Sequence, residues 1–242
     1  YPTDADPVNN PFGQWHLFEL IAGIRMPTAW DLSTGSAGVA VAVIDTGIVS
    51  HRDLNAGRIL PGYDFYSDVV NDNDGMPGRD DDPTDPGDAV AAGDCGAGEP
   101  AEESSWHGLS VAGVIVASSD NNTDIAGIDF AARLLPIRVL GRCGGNLSDV
   151  ADAIRWAAGY SVTGVPNNPT PADVINLSLS GEGPCSLAEQ LAINDAVAAG
   201  SAVVVSAGNE DSTNVIDISP ANCDNVIVAG AIARDGSLAS YA

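Results

Sequence analysis

The chain has 242 residues, of which 45% are hydrophobic, and nine basic against 33 acidic residues give it a formal net charge of -24. A chain of this length and composition can bury a full core, and a single α/β domain of this size is ordinary. The negative charge repels nucleic acid and anionic membranes, so it argues against both as partners, while it favours solubility or cation binding.

The start of the chain and its cysteines indicate the compartment. The sequence begins at Tyr1 without Met, and it has neither a charged-then-apolar leader nor an apolar run long enough to cross a bilayer, which predicts a processed or trimmed chain. The chain has four widely spaced cysteines, Cys95, Cys143, Cys185 and Cys223. They form no C-x-x-C pair, which disfavours a zinc ribbon and a thioredoxin-like motif. Two disulfides in an exported protein fit better. Three pairings are possible, with Cys95–Cys143 and Cys185–Cys223 preferred and cytosolic free thiols the alternative.

Short runs of β-branched residues and Ala predict the strands of a sheet. The first is GVAVAVI at residues 38–44, which ends at Asp45 and is typical of a central strand buried on both faces. Further runs of this kind, each closed by Gly, Ser or Asn, occupy residues 134–140, 174–179, 202–206 and 226–229.

Helical patterns lie between these runs. One follows His107 over residues 111–117, a second is capped by Ser148, and a third covers residues 187–199 before Gly200. Because strands and helices alternate, the sequence predicts an α/β fold: a doubly wound, mainly parallel sheet with helices on both faces.

One long segment departs from this alternation. Residues 71–88, NDNDGMPGRDDDPTDPGD, contain almost no apolar side chain, so they predict a surface loop that contributes nothing to the core. Within it, Asp72 and Asp74 alternate with Asn73 before a glycine, as at the start of a calcium loop, although the distant Glu of such a loop is absent. The other interpretation is a solvated acidic surface.

Polar side chains follow three of the predicted strands. In a doubly wound sheet, ligands and chemistry gather beyond the carboxyl ends of the strands, which is where Asp45, Ser180 and Asn209 lie. A buried Asp45 needs a partner. Either Thr46 and nearby backbone amides satisfy it, or it orients an imidazole.

The segment WHGLSVAG offers that imidazole at His107. A single histidine beside Val and Ala is more often a packed core side chain than a catalytic one. If Asp45 accepts a hydrogen bond from one ring nitrogen of His107, however, the other becomes a proton acceptor toward a nucleophile. Asn209 could then donate to an oxyanion, or it could be a turn residue in a left-handed conformation.

Four motifs in order, VIDTGI, HGLSVAG, VINLSLSG and VVSAGNE, resemble those of the subtilisin-like serine proteases (subtilases), whose catalytic residues follow the order Asp, His, Ser. The similarity runs from QWHLFELIAGIRMPTAWDLSTG to PANCDNVIVAGAIARDGSLASYA, and it is strongest to secreted bacterial members with an acidic loop and disulfides. The resemblance implies that Asp45 is the triad carboxylate, His107 the general base and Asn209 the oxyanion-hole amide.

The resemblance also implies the residues that hold substrate and metal. The S1 pocket would be lined by Ser178, Leu179, Ser180 and Gly181, and an edge strand that pairs with an extended peptide would be formed by Cys143, Gly144 and Gly145. A calcium ion would be bound by Asp53 and Asn121, with carbonyl groups near Ser119, Thr123 and Ile125. Such oxygen ligands on loops suit Ca²⁺.

Two departures from the family pattern stand out. Leu109 and Ser110 replace the usual Thr and His beside the base, which predicts altered tuning without loss of mechanism. The GTSMA-type motif of the nucleophilic serine is absent, and Ser240 matches only the segment that leads toward it. Residues 1–242 are therefore predicted to be one incomplete peptidase domain: a truncated or autolytic fragment, a nicked enzyme whose remainder is a separate C-terminal chain, or a pseudoenzyme.

The resulting prediction is a secreted, calcium-stabilised serine endopeptidase that hydrolyses polypeptides and is made with an inhibitory N-terminal propeptide. One alternative is a non-catalytic calcium-binding domain that presents its cleft to peptides. Another is an unrelated α/β binding protein in which Asp45 and His107 never meet. The distance between these two side chains separates the last alternative from the others, because a triad requires hydrogen-bond reach, roughly 3 Å.

Overall fold

A parallel sheet forms the centre of the computed structural model, which describes residues 13–209 and 214–241. The strands are β1 (Ala40–Asp45), β2 (Tyr63–Asp64), β3 (Arg133–Arg138), β4 (Val174–Leu177), β5 (Gly181–Glu182), β6 (Ala202–Ser206), β7 (Ile218–Ser219) and β8 (Ile227–Ala229). The six-stranded sheet has the order β2-β3-β1-β4-β6-β8, with every neighbouring pair parallel, while β5 and β7 form a separate antiparallel pair. The predicted parallel sheet is thus confirmed.

Helices cover both faces of this sheet. They are α1 (Trp15–Phe18), α2 (Met26–Trp30), α3 (His107–Val116), α4 (Leu147–Ala157) and α5 (Leu187–Ala199), with short 3-10 turns at Ala56–Arg58 and Val215–Asp217. All six residues of β1 are buried, and alternate side chains face opposite layers. Val41 and Val43 pack with Ala112 of α3, whereas Ala42 and Ile44 join the core that includes α4 and α5.

Local sequence sets the helix boundaries. The ends of α5 agree with the prediction, because Ser186 and Glu189 form a reciprocal capping box and Gly200 ends the helix in the left-handed conformation. The predicted cap of α4, Ser148, is wrong. The N-cap is Asn146, whose carbonyl already accepts the first helical hydrogen bond, from the amide of Val150 at 3.1 Å.

The acidic segment 71–88 is a loop, as predicted, but part of it is anchored inward. The side chain of Asp72 is only 2% exposed and contacts the buried Arg138, and Asp85 is 3% exposed and hydrogen-bonded to Thr46. Arg79 joins the loop to α4 through Asp149. A merely solvated acidic surface is therefore the wrong interpretation for this part of the loop, because buried carboxylates require partners.

Two disulfides tie the loops to this framework. Cys95 is joined to Cys143 and Cys185 to Cys223, which is the preferred pairing, and the described residues contain no free cysteine. Among the same residues, no helix is both long and apolar enough to pass through a membrane.

The core makes a direct prediction about stability. Leu177 of β4 is fully buried, whereas Leu187 at the start of α5 is 75% exposed. Leu177→Ala should lower the free energy of unfolding by about 2–5 kcal/mol, because it removes buried methyl groups and leaves a cavity. The same change at Leu187 should cost less than about 1 kcal/mol. Chemical denaturation measures both values, and equal losses would contradict the described core.

Candidate active site

The candidate site lies at the carboxyl end of β1, where α3 begins. Gly108, the second residue of α3, makes the close approach possible. A Cβ atom at that position would lie 2.2 Å from the carbonyl oxygen of Gly47 and 3.2 Å from Cβ of Asp45. The residue after His107 must therefore be Gly if the start of the helix is to contact the end of the strand.

Asp45 and His107 form a hydrogen-bonded pair. The Nδ1 atom of His107 lies 2.8 Å and 2.9 Å from the two carboxylate oxygens of Asp45, which is fully buried. Since an ionised carboxylate only accepts hydrogen bonds, Nδ1 carries the proton and Nε2 is left as an acceptor. Within residues 13–209 and 214–241, Nε2 has no hydrogen-bond partner. The alternative in which Asp45 and His107 never meet is wrong.

The electrostatics of this pair suit a base. The hydrogen bond that His107 donates to Asp45 raises the pKa of His107 above its ordinary value of 6.5, against the opposing effect of partial burial. The charges of Asp45 and Asp88 raise this pKa further. The His107 side chain is 46% exposed, so its outer nitrogen remains accessible. An imidazole held in this way can accept a proton from a nucleophile bound beside it.

A cleft of about 550 Å³ opens beside His107. Five of the predicted substrate-binding residues line it: Cys143, Gly144, Ser178, Leu179 and Ser180. Three acidic residues from the chain on either side of Cys95 also line the cleft: Asp88, Glu99 and Glu102. The two other predicted residues lie outside the lining, since Gly145 packs against the carbonyl of Val139 and Gly181 pairs with Ser219 in the small sheet.

The predicted edge strand at residues 143–145 is a tight turn instead. Gly141 and Gly144 exchange backbone hydrogen bonds of 3.0 Å and 3.2 Å, and Cys143 and Gly144 both have positive φ, at 65° and 94°. Cys143 and Gly144 are therefore not in an extended strand, and the pairing of a peptide substrate with residues 143–145 stays a prediction.

Asn209 lies at the same end of the sheet. It follows β6 through Gly208, a residue with φ of 96°. Because β1, β4 and β6 are parallel, their carboxyl ends lie together, which places Asp45, Ser178 and Asn209 at the same end of the sheet. In a doubly wound sheet, ligands and catalytic residues are expected at this end.

A model of the subtilase family matches residues 36–242. The chain belongs to the subtilase family. It is 54% identical over 228 residues to an extracellular protease of Xanthomonas campestris pv. campestris, covering 94% of this chain and 39% of that protein. It is 42% identical over 245 residues to an extracellular basic protease of Dichelobacter nodosus, covering 100% of this chain and 40% of that protein.

A solved structure agrees with this assignment. The fold is similar to that of a protease from Pseudoalteromonas arctica PAMC 21717, with a TM-score of 0.90 and 51% identity, over 94% of this chain and 66% of that one. The chain thus spans about 40% of the length of the two curated relatives and about two thirds of the solved relative.

Subtilases generally bind calcium, and the predicted ligand loop has suitable chemistry. Asp53 is only 2% exposed, and its carboxylate accepts hydrogen bonds from the Asn121 amide at 2.7 Å and from the backbone N–H of Ile125 at 3.1 Å. The buried hydroxyl of Ser119 has no hydrogen-bond partner within the described chain. This set of oxygen donors fits Ca²⁺, provided that the Asn121 amide turns its oxygen toward the ion.

Asp72 and Asp74 meet a third carboxylate, Asp64, around the guanidinium of Arg138. Loss of hydration raises the pKa of Asp64 to about 7, which outweighs the attraction of Arg138. One oxygen of Asp72 is buried without a hydrogen-bond partner among the described residues, and one ligand atom from each carboxylate lies within 4.8 Å of the others. The cluster therefore fits a cation beside Arg138. The sequence analysis missed Asp64 because its strand, β2, has only two residues.

The geometry predicts how the histidines titrate. His107 should titrate above 6.5 because Asp45 stabilises its charged form, whereas burial lowers the pKa of His16. Asp45→Asn should bring the midpoint of His107 down and leave that of His16 in place. The measurement is a pH titration of the imidazole resonances by NMR. A His107 midpoint at or below that of His16 would refute the described pair.

The same shift has a consequence for stability. Because the pKa of His107 is raised in the folded state, its contribution to stability is fully present below pH 6.5 and is lost as the pH rises through the folded-state pKa. The Asp45→Asn variant should therefore lose more stability, relative to the parent protein, at about pH 5 than at about pH 9. These two pH values lie on either side of the ordinary histidine pKa of roughly 6.5.

Proposed function

We propose that this chain supplies the Asp–His part of the active site, and much of the substrate cleft, of a serine endopeptidase that hydrolyses polypeptides by acyl transfer. The observation that carries the proposal is the contact of His107 Nδ1 with both oxygens of the buried Asp45, beside a cleft of about 550 Å³. Membership of the subtilase family supports it, because the two relatives are proteases by description.

In the proposed mechanism, Asp45 holds the Nδ1–H of His107 and stabilises the imidazolium that forms. Nε2 takes the proton of a serine hydroxyl as the serine oxygen bonds to the peptide carbonyl carbon. The same proton then passes to the leaving amine as the C–N bond breaks, and water repeats the sequence to release the acid. The side-chain amide of Asn209 donates a hydrogen bond to the oxyanion.

We place the nucleophilic serine in polypeptide outside these 242 residues, either continuous with them or in a separate C-terminal chain. Two observations support this placement. The sequence contains no GTSMA-type motif. Among the described residues, moreover, no hydroxyl contacts Nε2, and the nearby Ser105 and Ser178 are engaged by the amide of His107 and by Asn176.

The substrate is a polypeptide held between two walls. Ser178, Leu179 and Ser180, which follow β4, form one side, and the disulfide-linked turn at Cys143 and Gly144 forms another. In this proposal, substrate contacts five of the predicted residues from the cleft lining, and Gly145 and Gly181 lie outside that lining. An N-terminal propeptide would occupy the same cleft in the precursor and keep it inactive.

Secretion and calcium complete the proposal. Two disulfides and relatives described as extracellular support an extracellular protein. Asp53 and Asn121 would hold one calcium ion, and Asp64, Asp72 and Asp74 a second cation beside Arg138. When bound, the ions would neutralise these carboxylates and fix the loops that carry them, and they would take no part in proton transfer.

Substitution of the histidine tests the function. In the full-length protease, His107→Ala should lower turnover of a peptide substrate by several orders of magnitude, leaving a residual rate about 10³–10⁴ above the uncatalysed reaction. Asn209→Ala should cost about 100- to 1000-fold. Leu187→Ala, whose side chain is 75% exposed and lies outside the cleft lining, is the control and should keep the parent rate. Activity that survives His107→Ala would refute the proposal.

Binding without cleavage is the competing outcome. If the full-length protein binds peptides but neither hydrolyses them nor reacts with a serine-directed phosphonate, it is the non-catalytic module that the sequence analysis kept as an alternative. Labelling of Ser178 or Ser240 within this chain would equally contradict the proposed nucleophile.

Chelation tests the metal sites. Excess EDTA should lower the melting temperature, because a ligand that binds only the folded state stabilises it by about 2.7 kcal/mol at 100 times its dissociation constant. Asp53→Asn should lower the melting temperature in calcium and reduce the further loss caused by EDTA. Asp31→Asn removes an exposed carboxylate at the end of α2 and should respond as the parent does. An unchanged melting temperature after chelation would refute both sites.

A further inference from the structure

We propose that Asp88, in the segment Asp85-Pro86-Gly87-Asp88, is a positioning residue for the catalytic histidine and acts on it through Ser105. The segment begins with an Asx turn, in which the backbone N–H of Gly87 donates to Oδ1 of Asp85 at 2.8 Å. The inference rests on the proposed function, since it assigns a second support to the same base. It gives a role to one end of the acidic loop, which the sequence alone marks only as a polar surface segment.

Asp88 is joined to His107 by an unbroken series of hydrogen bonds. The backbone N–H of Ser105 donates to one carboxylate oxygen of Asp88 at 2.6 Å, and the Ser105 hydroxyl donates to the other at 2.7 Å. The same hydroxyl oxygen accepts the backbone N–H of His107 at 3.3 Å. The carboxylate therefore fixes both the backbone and the side chain of the residue two positions before the base.

The start of α3 needs such a support. Its N-cap, Trp106, is in the left-handed conformation with φ of 48° and provides no side-chain cap. The first amides of a helix lack partners within the helix, so the Ser105 hydroxyl satisfies one of them, that of His107 itself. A carboxylate close to a helix N-terminus is also favourable for the helix dipole. Asp88 thus fixes the backbone from which the imidazole projects.

The turn that carries Asp88 is itself anchored to β1. Asp85 accepts a hydrogen bond from the Thr46 hydroxyl at 2.7 Å, and that hydroxyl accepts the N–H of Gly108 at 3.0 Å. The backbone N–H of Asp85 also donates to the carbonyl of Ile48 at 3.0 Å. Ser105 and Gly108, on either side of His107, are therefore both connected by hydrogen bonds to the segment 85–88. Ser105 bonds to Asp88 directly, and Gly108 is joined to Asp85 through the Thr46 hydroxyl.

Gly87 explains why this turn can approach so closely. Its φ is +88°, and a Cβ atom there would lie 2.7 Å from the Ser104 hydroxyl and 3.4 Å from the Trp106 ring. The left-handed backbone conformation favours glycine here, and a larger residue would also have to displace the Ser104 hydroxyl. The turn is thus shaped to pack against residues 104–106, directly before the histidine.

Two carboxylates act on the imidazole from different elements. Asp45 contacts Nδ1 from the end of β1, and Asp88 acts from the turn; both raise the pKa of His107. Glu99 and Glu102 line the same cleft. Asp88 differs from Asp45 in that it never contacts the ring, so its removal should disturb the placement of the imidazole and leave the Asp45 bond possible.

The test uses the full-length protease with four variants: Asp88→Asn, Ser105→Ala, the double variant, and Asp81→Asn as the control. Asp81 is an exposed carboxylate of the same loop, away from the cleft lining. Asp88→Asn and Ser105→Ala should each lower kcat by about 10- to 100-fold with little change in KM, because a displacement near 1 Å costs rates of that order. The double variant should lose no more than the worse single variant, since both residues act in one series. Asp81→Asn should match the parent.

The pH profile separates positioning from a general loss of structure. Removal of the Asp88 charge should move the acidic limb of kcat/KM to lower pH, since the base then loses its proton more easily. Ser105→Ala keeps the carboxylate and should leave the limb in place. If Asp88→Asn does not fold, the exposed Ser105→Ala carries the kcat test. A single-variant kcat equal to that of Asp81→Asn, or losses that multiply in the double variant, would overturn the inference. A parent enzyme without activity or phosphonate labelling would instead refute the proposed function.

Discussion

A carboxylate buried at the end of a fully buried strand dominates the candidate site. Asp45 has no exposed surface, and its oxygens accept hydrogen bonds from His107 and from the backbone N–H of Thr46. Because an unpaired charge in that position would cost several kcal/mol, the fold must bring donors to it. The start of α3 and the glycine contact between Gly108 and Gly47 both follow from that requirement.

Much of this arrangement can be predicted from the sequence. Continuous β-branched runs predict the buried strands because parallel strands are covered on both faces, and β6 and α5 have the predicted bounds. Asp45 and Asn209 lie at one end of the sheet because the carboxyl ends of parallel strands lie together, and His107 begins α3 in contact with Asp45. A capping box and a glycine determine the ends of α5, whereas α4 begins after Asn146 instead of the predicted Ser148.

The remaining features depend on contacts between distant residues, which no local pattern records. The turn at Cys143 and Gly144 results from the Gly141–Gly144 backbone pair and adjoins the disulfide to Cys95. The sequence of the acidic loop predicts exposure to solvent because it lacks apolar residues. In the structure, however, Asp72 contacts the buried Arg138, and Asp85 accepts a hydrogen bond from Thr46. For these two carboxylates, burial depends on a charged or hydroxyl partner that is distant in the sequence.

In the proposed mechanism, His107 is the base for a serine nucleophile. The most direct test is to measure, as a function of pH, the rate at which a serine-directed phosphonate labels the full-length protease. We expect this rate to rise with a single ionisation whose midpoint coincides with the His107 midpoint measured by NMR in the same protein. Labelling that follows a different ionisation, or that is independent of pH while His107 titrates, would contradict it.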